Sequence, residues 1–253
     1  MQRTEFNMPV SYIICAAGRG SRTEAISKMI PKPLLKLQGK TLIQRSLESL
    51  PIKAEDQVIV VHLEQVPTVL FQKSLSDKKI EYVSVSELTR GQLETALRAL
   101  PRVKSGNSIC IFNADTFFEC PELEEALQEK WDGLIPCSKE AGDAWSFCEV
   151  RGSEEKIQTV VRVTEKERIS DWCSVGFYWF RERSLFEEAA VEALRAHPPS
   201  SEVYVAPIYN PMIRKGAKVG MIPTRRFLPM GSLEQIGKYW GLSLSQMQAE
   251  NQS

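Results

Sequence analysis

The first half of this 253-residue chain alternates between apolar segments of strand length and segments whose apolar residues recur at helical spacing. Such alternation predicts an α/β fold, in which a parallel sheet carries helices on both faces. The strand candidates are residues 10–17, 57–63, 80–85 and 108–112. The helix candidates between them are residues 41–50, 66–75 and 92–100.

The second half of the chain places its strand candidates closer together, at residues 131–136, 146–150, 157–164 and 174–180. This spacing predicts an antiparallel or mixed extension of the sheet, with a turn at Gly152 and Ser153. Helices are predicted again at residues 184–196, 202–215 and 232–240, with a short strand at 219–222. We expect one domain over residues 1–253 and a disordered polar tail at 246–253.

Composition excludes several classes of protein. Lysine plus arginine equals aspartate plus glutamate, which gives no support for nucleic-acid binding. No apolar run approaches the ~20 residues of a membrane helix. The start of the chain lacks the pattern of a signal peptide, and its six cysteines include no C-x-x-C pair. We therefore expect a cytoplasmic protein with reduced thiols that binds neither membranes nor nucleic acid.

The first predicted strand ends in a loop rich in glycine and small residues: Ala16, Ala17, Gly18, Arg19, Gly20, Ser21 and Arg22. Such residues let the backbone approach a ligand, and successive N–H groups can hold phosphate oxygens. The arginine at the end of the loop would add a bidentate phosphate donor. We therefore predict a phosphate-binding loop, with an ordinary tight turn as the alternative.

Two known phosphate motifs do not fit this loop. The dinucleotide fingerprint requires glycine or alanine where Thr23 stands, and no Gly-Lys-Ser/Thr run is present. Pro31 and Pro33 stiffen the backbone on either side of Lys32. A lysine held in this way could direct a point charge at bound phosphates, whereas the alternative is a surface lysine in a proline turn.

A candidate metal ligand follows a predicted central strand, in the run Asn113-Ala114-Asp115. A carboxylate at this place can hold Mg²⁺, which usually binds one or two carboxylates together with substrate phosphates. The alternative is an N-cap or an Asx turn.

The order and spacing of these segments resemble those of the sugar-1-phosphate nucleotidyltransferases, in particular the capsule- and lipopolysaccharide-associated branch. The similarity covers roughly residues 10–238, through the runs I-I-C-A-A-G-R-G-S-R, P-K-P-L-L, G-K-T-L-I, T-R-G-Q-L-E-T-A-L, N-A-D, W-S-F, V-T-E-K, V-G-F-Y, E-V-Y and M-G-S. The resemblance implies a Rossmann-like three-layer sandwich with a mixed, mostly parallel sheet, of the nucleotide-diphospho-sugar transferase type.

The resemblance also implies roles for individual residues. Arg22, Lys32 and Asp115 would be catalytic, with Asp115 as the metal ligand for Mg²⁺. Nucleotide binding would involve residues 16–22, Lys32, Gly91, Gln92 and Asn113, with Gly91 and Gln92 at the nucleobase. Substrate binding would involve Trp145, Glu165, Lys166 and Gly176. For Glu165 and Lys166 the alternative is the solvated face of a strand, and for Trp145 it is packing.

Two positions depart from the family pattern. Thr23 stands where the family usually has Leu or Phe, and Pro229 stands where many members carry a second metal-binding aspartate. The metal would then rest on Asp115 with phosphates and water, or on another carboxylate.

The implied activity condenses an NTP with a sugar 1-phosphate, giving a nucleotide-activated sugar and pyrophosphate. Two alternatives remain open: transfer to a non-sugar phosphate, such as a phosphocholine-like or phosphorylated amino-acid compound, and a catalytically weak nucleotide-sugar binding protein. The partners would be an NTP and a phosphorylated small molecule, and the sequence leaves a homo-oligomer open.

Overall fold

The computed structural model describes residues 8–76, 79–152, 156–198 and 200–252. Ser153 of the predicted turn and Ser253 of the predicted tail lie outside them. The strands are β1 (Val10–Ala16), β2 (Lys36–Leu37), β3 (Lys40–Thr41), β4 (Gln57–Leu63), β5 (Ile80–Val85), β6 (Ser108–Asn113), β7 (Thr116–Glu119), β8 (Gly133–Lys139), β9 (Ser146–Arg151), β10 (Gln158–Glu165), β11 (Trp172–Ser174), β12 (Phe177–Phe180), β13 (Val219–Pro223) and β14 (Arg226–Pro229). The helices are α1 (Leu42–Glu48), α2 (Thr68–Ser74), α3 (Gln92–Ala99), α4 (Leu123–Ala126), α5 (Arg183–Ala196), α6 (Tyr209–Arg214), α7 (Leu233–Trp240) and α8 (Leu244–Glu250).

A ten-stranded sheet forms the centre of the fold, in the order β11-β9-β10-β13-β8-β12-β6-β1-β4-β5. The strands β5, β4, β1 and β6 are parallel to one another, as the strand–helix alternation predicts. Strand β12 runs antiparallel to both β6 and β8, and β9, β10 and β11 add further antiparallel pairs. The predicted α/β fold with a mixed sheet is therefore confirmed. The expectation that the sheet is mostly parallel is wrong, because among the described residues six of its strand pairings are antiparallel and four are parallel.

Helices pack on both faces of this sheet. Successive side chains of a strand point to opposite faces, so Ile13 of β1 belongs to one core and Tyr12 and Ile14 to the other. The core around Ile13 includes buried residues of α3, α5 and α6, whereas the opposite core includes residues of α1, α2 and α4. Strand β1 is buried on both faces, which explains why its sequence is a continuous apolar run.

A short two-stranded ribbon, β7 with β14, lies beside the large sheet and connects distant parts of the chain. Thr116 pairs with Pro229 in this ribbon, and the backbone N–H of Met230 donates to the carbonyl of Asp115 at 2.9 Å. Residues just after β14 are thereby held next to the end of β6. No pattern in the sequence predicts this ribbon, because its strands are only four residues long and such short segments show no clear alternation.

The prediction of one continuous strand over residues 174–180 is wrong, because the structure has the end of β11 and the whole of β12 there, with a break between them. Gly176, between them, has φ 84°, in the left-handed region that interrupts an extended strand. Its N–H donates to the hydroxyl of Ser174 at 3.0 Å. Strand β11 pairs with β8 and β9, whereas β12 pairs with β6 and β8, so the break redirects the chain within the sheet.

The helix predicted at residues 202–215 begins later than expected, with α6 at Tyr209 after a short 3-10 turn. The preceding backbone is held elsewhere. The N–H of Val203 donates to the carbonyl of Arg90 at 2.6 Å, and its carbonyl accepts from the N–H of Leu93 at 3.3 Å. These tertiary bonds, which a local helical pattern does not reveal, keep this segment out of the helix.

The predicted disordered tail is also wrong over most of its length, because α8 includes residues 246–250. Ser243 caps this helix, and Met247 is buried in a third core formed with α7. The side chain of Asn251 accepts from the N–H of Lys36 at 2.7 Å and donates to its carbonyl at 3.0 Å. The polar character of the tail therefore reflects specific backbone contacts rather than disorder. Among the residues that the structure describes, no helix combines the length and apolar character needed to cross a bilayer.

Candidate active site

A cleft of about 670 Å³ lies where β1 and β6 end and α3 begins. The carboxyl ends of adjacent parallel strands are where open α/β sheets bind ligands. Every residue predicted for nucleotide binding or catalysis lines this cleft: Ala16, Ala17, Gly18, Arg19, Gly20, Ser21, Arg22, Lys32, Gly91, Gln92, Asn113 and Asp115. Segments far apart in sequence thus meet in one cleft, and the binding and catalytic roles that the resemblance implies for them stay predictions.

Lys32 occupies the floor of the cleft, in a 3-10 turn that begins after Pro31. Gly20 has φ 71°, and a Cβ built on it would lie 2.9 Å from the Cβ of Lys32. The loop therefore packs against the lysine in a way that only glycine allows. The ammonium of Lys32 donates to Asp115 Oδ2 at 2.5 Å and to the carbonyl of Gly231 at 2.8 Å.

The carboxylate of Asp115 lies in a positive environment, with its side chain only 25% exposed and that of Lys32 11% exposed. Burial alone would raise the pKa of Asp115, but the charge and hydrogen bond of Lys32, together with the charge of Arg22, outweigh it. The pKa of Asp115 consequently lies below its usual value. The carboxylate is ionised at neutral pH, as a cation ligand must be.

The wall at the start of α3 depends on two glycines. Gly91 has φ 119°, and a Cβ on it would lie 2.7 Å from the carbonyl of Val203. The amide of Gln92 donates to Asn113 Oδ1 at 2.7 Å. A Cβ on Gly176 would lie 2.1 Å from the amide nitrogen of Asn113, so glycine is needed there as well. This chain of contacts fixes the side chain of Gln92, a residue that lines the cleft.

The residues predicted for substrate binding, Trp145, Glu165, Lys166 and Gly176, all lie outside the lining of the cleft, although Gly176 packs against Asn113, which lines it. Glu165 accepts a hydrogen bond from the hydroxyl of Ser146, which also contacts the hydroxyl of Tyr178 at 3.2 Å. Burial raises the pKa of Glu165, although the Ser146 hydrogen bond and the charge of Lys166 oppose it. The arrangement offers a half-buried carboxylate that can accept hydrogen bonds from hydroxyl groups.

Lys166 and Trp145 differ in their surroundings. Lys166 donates to the hydroxyl of Tyr204 and lies 3.8 Å from the carboxylate of Glu202, which does line the cleft. The ring of Trp145 packs on Phe227, with centroids 5.5 Å apart, and its N–H donates to the carbonyl of Ala141 at 3.1 Å. These contacts favour packing for Trp145, and its contact with a sugar stays a prediction.

The carboxylate of Asp115 fits a magnesium ion, which usually binds one or two carboxylates together with substrate phosphates and water. The ammonium of Lys32 donates to Asp115 Oδ2 and to the carbonyl of Gly231. Pro229, at the place of the expected second aspartate, pairs with Thr116 and offers no side-chain ligand. No cluster of three or more His, Cys, Asp or Glu side chains suited to a metal occurs within residues 8–76, 79–152, 156–198 and 200–252.

Several residues of the site received no role from the sequence. The cleft is completed by Leu88, Thr89, Arg90, Ser200, Ser201 and Glu202. The carbonyl of Gly231 and the side chain of Tyr204 also contact predicted residues. The resemblance included the runs E-V-Y, at residues 202–204, and M-G-S, at residues 230–232, but it gave their residues no role. The role of Gly231 belongs to its backbone carbonyl, which leaves no signature in a sequence. Tyr204 could have been found only through its spatial neighbours.

Solved structures share this fold over nearly the whole chain. A nucleoside-diphosphate-sugar pyrophosphorylase from Vibrio cholerae RC9 is 27% identical with a TM-score of 0.77, covering 91% of this chain and all of that one. A UDP-glucose pyrophosphorylase complexed with UDP-glucose is 16% identical with a TM-score of 0.75, covering 92% of this chain and 98% of that one. The second likeness shows the fold alone.

Curated relatives match part of the chain. The bifunctional protein GlmU of Methanococcus maripaludis (strain C7) is 27% identical over 168 residues, which are 66% of this chain and 39% of that protein. GlmU of Francisella philomiragia subsp. philomiragia is 34% identical over 129 residues, which are 50% of this chain and 27% of that protein. The chain thus spans well under half the length of these relatives.

The fold, the cleft and the family match define the chain as a nucleotidyltransferase domain. More narrowly, residues 12–167 match the family described as "MobA-like NTP transferase domain". Because this match covers more than half of the chain, the protein belongs to that family. The predicted resemblance to the sugar-1-phosphate nucleotidyltransferases is confirmed.

Proposed function

We propose that this protein condenses an NTP with a sugar 1-phosphate, giving a nucleotide-activated sugar and pyrophosphate. The observation that carries the proposal is the convergence of the glycine-rich loop, Arg22, Lys32 and Asp115 on one cleft. Backbone N–H groups and two cationic side chains beside an ionised carboxylate suit a triphosphate with its cation. The pyrophosphorylase likeness supports a sugar phosphate as the second substrate.

The reaction would be an in-line displacement at the α-phosphorus of the NTP. An oxygen of the acceptor phosphate forms the new P–O bond while the bond to the β-phosphate breaks, and pyrophosphate leaves with the electron pair. The nucleophile is already an anion, so no general base is required. The protein brings two anions together and stabilises the charge that develops on the leaving group, through Arg22 and Lys32.

Magnesium would be held by Asp115, substrate phosphates and water. When bound, it would supply Lewis-acid neutralisation of phosphate charge. Glu165 would accept hydrogen bonds from sugar hydroxyls, and Lys166 would contact the acceptor phosphate. Gly91 and Gln92 would contact the nucleobase.

We also propose that the chain forms a single domain, residues 1–253, with the Rossmann-like three-layer arrangement, since buried cores cover both faces of the sheet. The family match and the TM-score of 0.77 to the V. cholerae structure support this assignment. A cytoplasmic location suits substrates of this class.

Pyrophosphate release tests the proposal, using each common NTP with Mg²⁺ and a panel of sugar 1-phosphates, phosphocholine and phosphoserine. We expect turnover with at least one sugar 1-phosphate and a loss of at least about 100-fold in Asp115→Ala. Asp171→Ala, which changes an exposed carboxylate, is the matched control. Turnover only with a non-sugar phosphate would replace the acceptor class, and NTP binding without any turnover would contradict an enzymatic role.

A further inference from the structure

Three side chains connect the nucleotide cleft to the predicted acceptor side. The ammonium of Lys166 donates to the hydroxyl of Tyr204, and that hydroxyl donates to the carboxylate of Glu202. The same ammonium lies 4.5 Å from the centroid of the Tyr204 ring and 3.8 Å from the carboxylate. The tyrosine hydroxyl thus accepts from a cation and donates to an anion, which fixes the positions of both.

The backbone fixes the two ends of this arrangement. Lys166 has φ 54°, in the left-handed region that non-glycine residues rarely adopt, and its N–H donates to the carbonyl of Trp145 at 2.9 Å. At the other end, Val203 bonds to the backbone on both sides of Gly91, so Glu202 lies against the start of α3. The side chain of Glu202 lines the cleft.

This arrangement contributes little to folding stability. The side chains of Lys166 and Glu202 are 54% and 59% exposed, and exposed ion pairs are weak because water and salt screen them. The tyrosine hydroxyl restricts a flexible ammonium that would otherwise sample many rotamers. Restricting a cation in advance lowers the entropy that an anionic ligand must overcome when it binds.

We propose that Tyr204 and Glu202 are positioning residues that hold the ammonium of Lys166 in place for the phosphate of the acceptor substrate. The inference rests on the proposed function, because it requires a phosphorylated acceptor. Neither residue needs to touch the NTP for this role. Substituting either residue should therefore change the KM for the acceptor, and it should do so only by altering the position of the Lys166 ammonium.

Steady-state kinetics test the role of Tyr204. Glucose 1-phosphate, N-acetylglucosamine 1-phosphate and phosphocholine are each offered, and the acceptor that the unmodified protein uses fastest is the probe. Tyr204→Phe keeps the ring but removes the hydroxyl, and should raise the KM for the acceptor about three- to tenfold with the KM for the NTP unchanged. Glu202→Gln should act in the same direction.

A matched control exists elsewhere in the chain. Lys238 donates to the hydroxyl of Tyr239, which donates to Glu140, in a second Lys–Tyr–Glu arrangement outside the lining of the cleft. Tyr239→Phe therefore removes the same type of hydrogen bond and should leave both KM values unchanged. An equal effect of the two tyrosine variants would show that the hydroxyl at 204 has no particular role and would overturn the inference.

A double-mutant cycle shows whether Tyr204 acts through Lys166. Lys166→Met should raise the acceptor KM, and adding Tyr204→Phe to it should have no further effect, because the ammonium is already gone. A full additional increase in the double variant would overturn the inference. If the unmodified protein turns over none of the acceptors, the proposed function fails; if it turns over but Tyr204→Phe keeps its acceptor KM, only the positioning role fails.

Discussion

The contact between Gly20 and Lys32 shows how one missing side chain shapes the cleft. A methyl group at position 20 would meet the lysine Cβ at 2.9 Å and would also strain a backbone with φ 71°. Lysine could then reach Asp115 only if the loop moved. The ammonium of Lys32, which we propose binds the triphosphate, is thus held in place partly by a glycine that has no functional group of its own.

We expect Gly20→Ala to lower the free energy of unfolding by about 2 kcal/mol and to weaken NTP binding. Gly106→Ala is the matched control, because Gly106 has φ 83° but no atom within 4 Å of a built Cβ. Gly106→Ala should lower the free energy of unfolding by only about 1 kcal/mol, which is the cost of a left-handed backbone conformation for alanine. Urea unfolding and NTP titration measure both effects. Equal losses in the two variants would mean that the loop tolerates the contact with Lys32.

Asp115 should make stability depend on pH in the acid range. Its pKa is lowered in the folded chain, so its ionised form stabilises the fold fully above the unfolded pKa of about 3.9. This contribution is lost as the pH falls through the lower folded value. Urea unfolding between about pH 2 and pH 5 should therefore show a shallower acid loss in Asp115→Asn than in the unmodified protein. Asp171→Asn controls for the removal of one negative charge, and an unchanged acid profile in Asp115→Asn would contradict the expectation.

At the scale of elements, α8 fastens the segment between the glycine-rich loop and α1. The side chain of Asn251 bonds to both backbone groups of Lys36, and the carboxylate of Glu250 accepts from the N–H groups of Gln38 and Gly39. The amide of Gln248 donates to the carbonyl of Ala25 at 2.8 Å. This helix lies outside the family match, yet it supports a loop that lines the nucleotide cleft.

Asn251→Ala should lower the free energy of unfolding by about 1–3 kcal/mol, because it removes two part-buried hydrogen bonds to the backbone of Lys36. Gln252→Ala is the matched control, since Gln252 is an exposed amide one residue further on. Chemical denaturation followed by circular dichroism measures the difference. If Asn251→Ala were as stable as the control, the hydrogen bonds between Asn251 and Lys36 would not stabilise the fold in solution.

The sequence predicted elements that depend on local patterns and missed those that depend on distant partners. Strands β1, β4 and β6 are buried on both faces, so their apolar runs are unambiguous. Helix α8 was predicted as a disordered tail because its sequence is polar. Polar side chains of this segment bond to backbone groups more than 200 positions away, which a local pattern cannot reveal. In the site, the resemblance identified the motif residues that line the cleft. It did not identify the carbonyl of Gly231, which lies beside Lys32 because the β7–β14 ribbon holds distant parts of the chain together.

At the scale of the whole molecule, binding of an NTP with Mg²⁺ should stabilise the fold. A ligand that binds only the folded state adds about 2.7 kcal/mol at 100 times its Kd. The unfolding temperature should therefore rise with at least one NTP, and chelation of Mg²⁺ with EDTA should reduce that rise. Lys32→Met should reduce it as well. Equal stabilisation with and without Mg²⁺ would contradict a metal-assisted nucleotide site.

The pairing of β7 with β14 has a consequence for biosynthesis. Translation delivers Lys32 and Asp115 first, but the carbonyl that completes their surroundings belongs to Gly231, far later in the sequence. Contacts between such distant residues form late, since a long loop must close first. A nascent chain still attached to the ribosome would therefore lack a finished floor of the cleft until Gly231 had emerged, and we expect it to bind nucleotide poorly before that point.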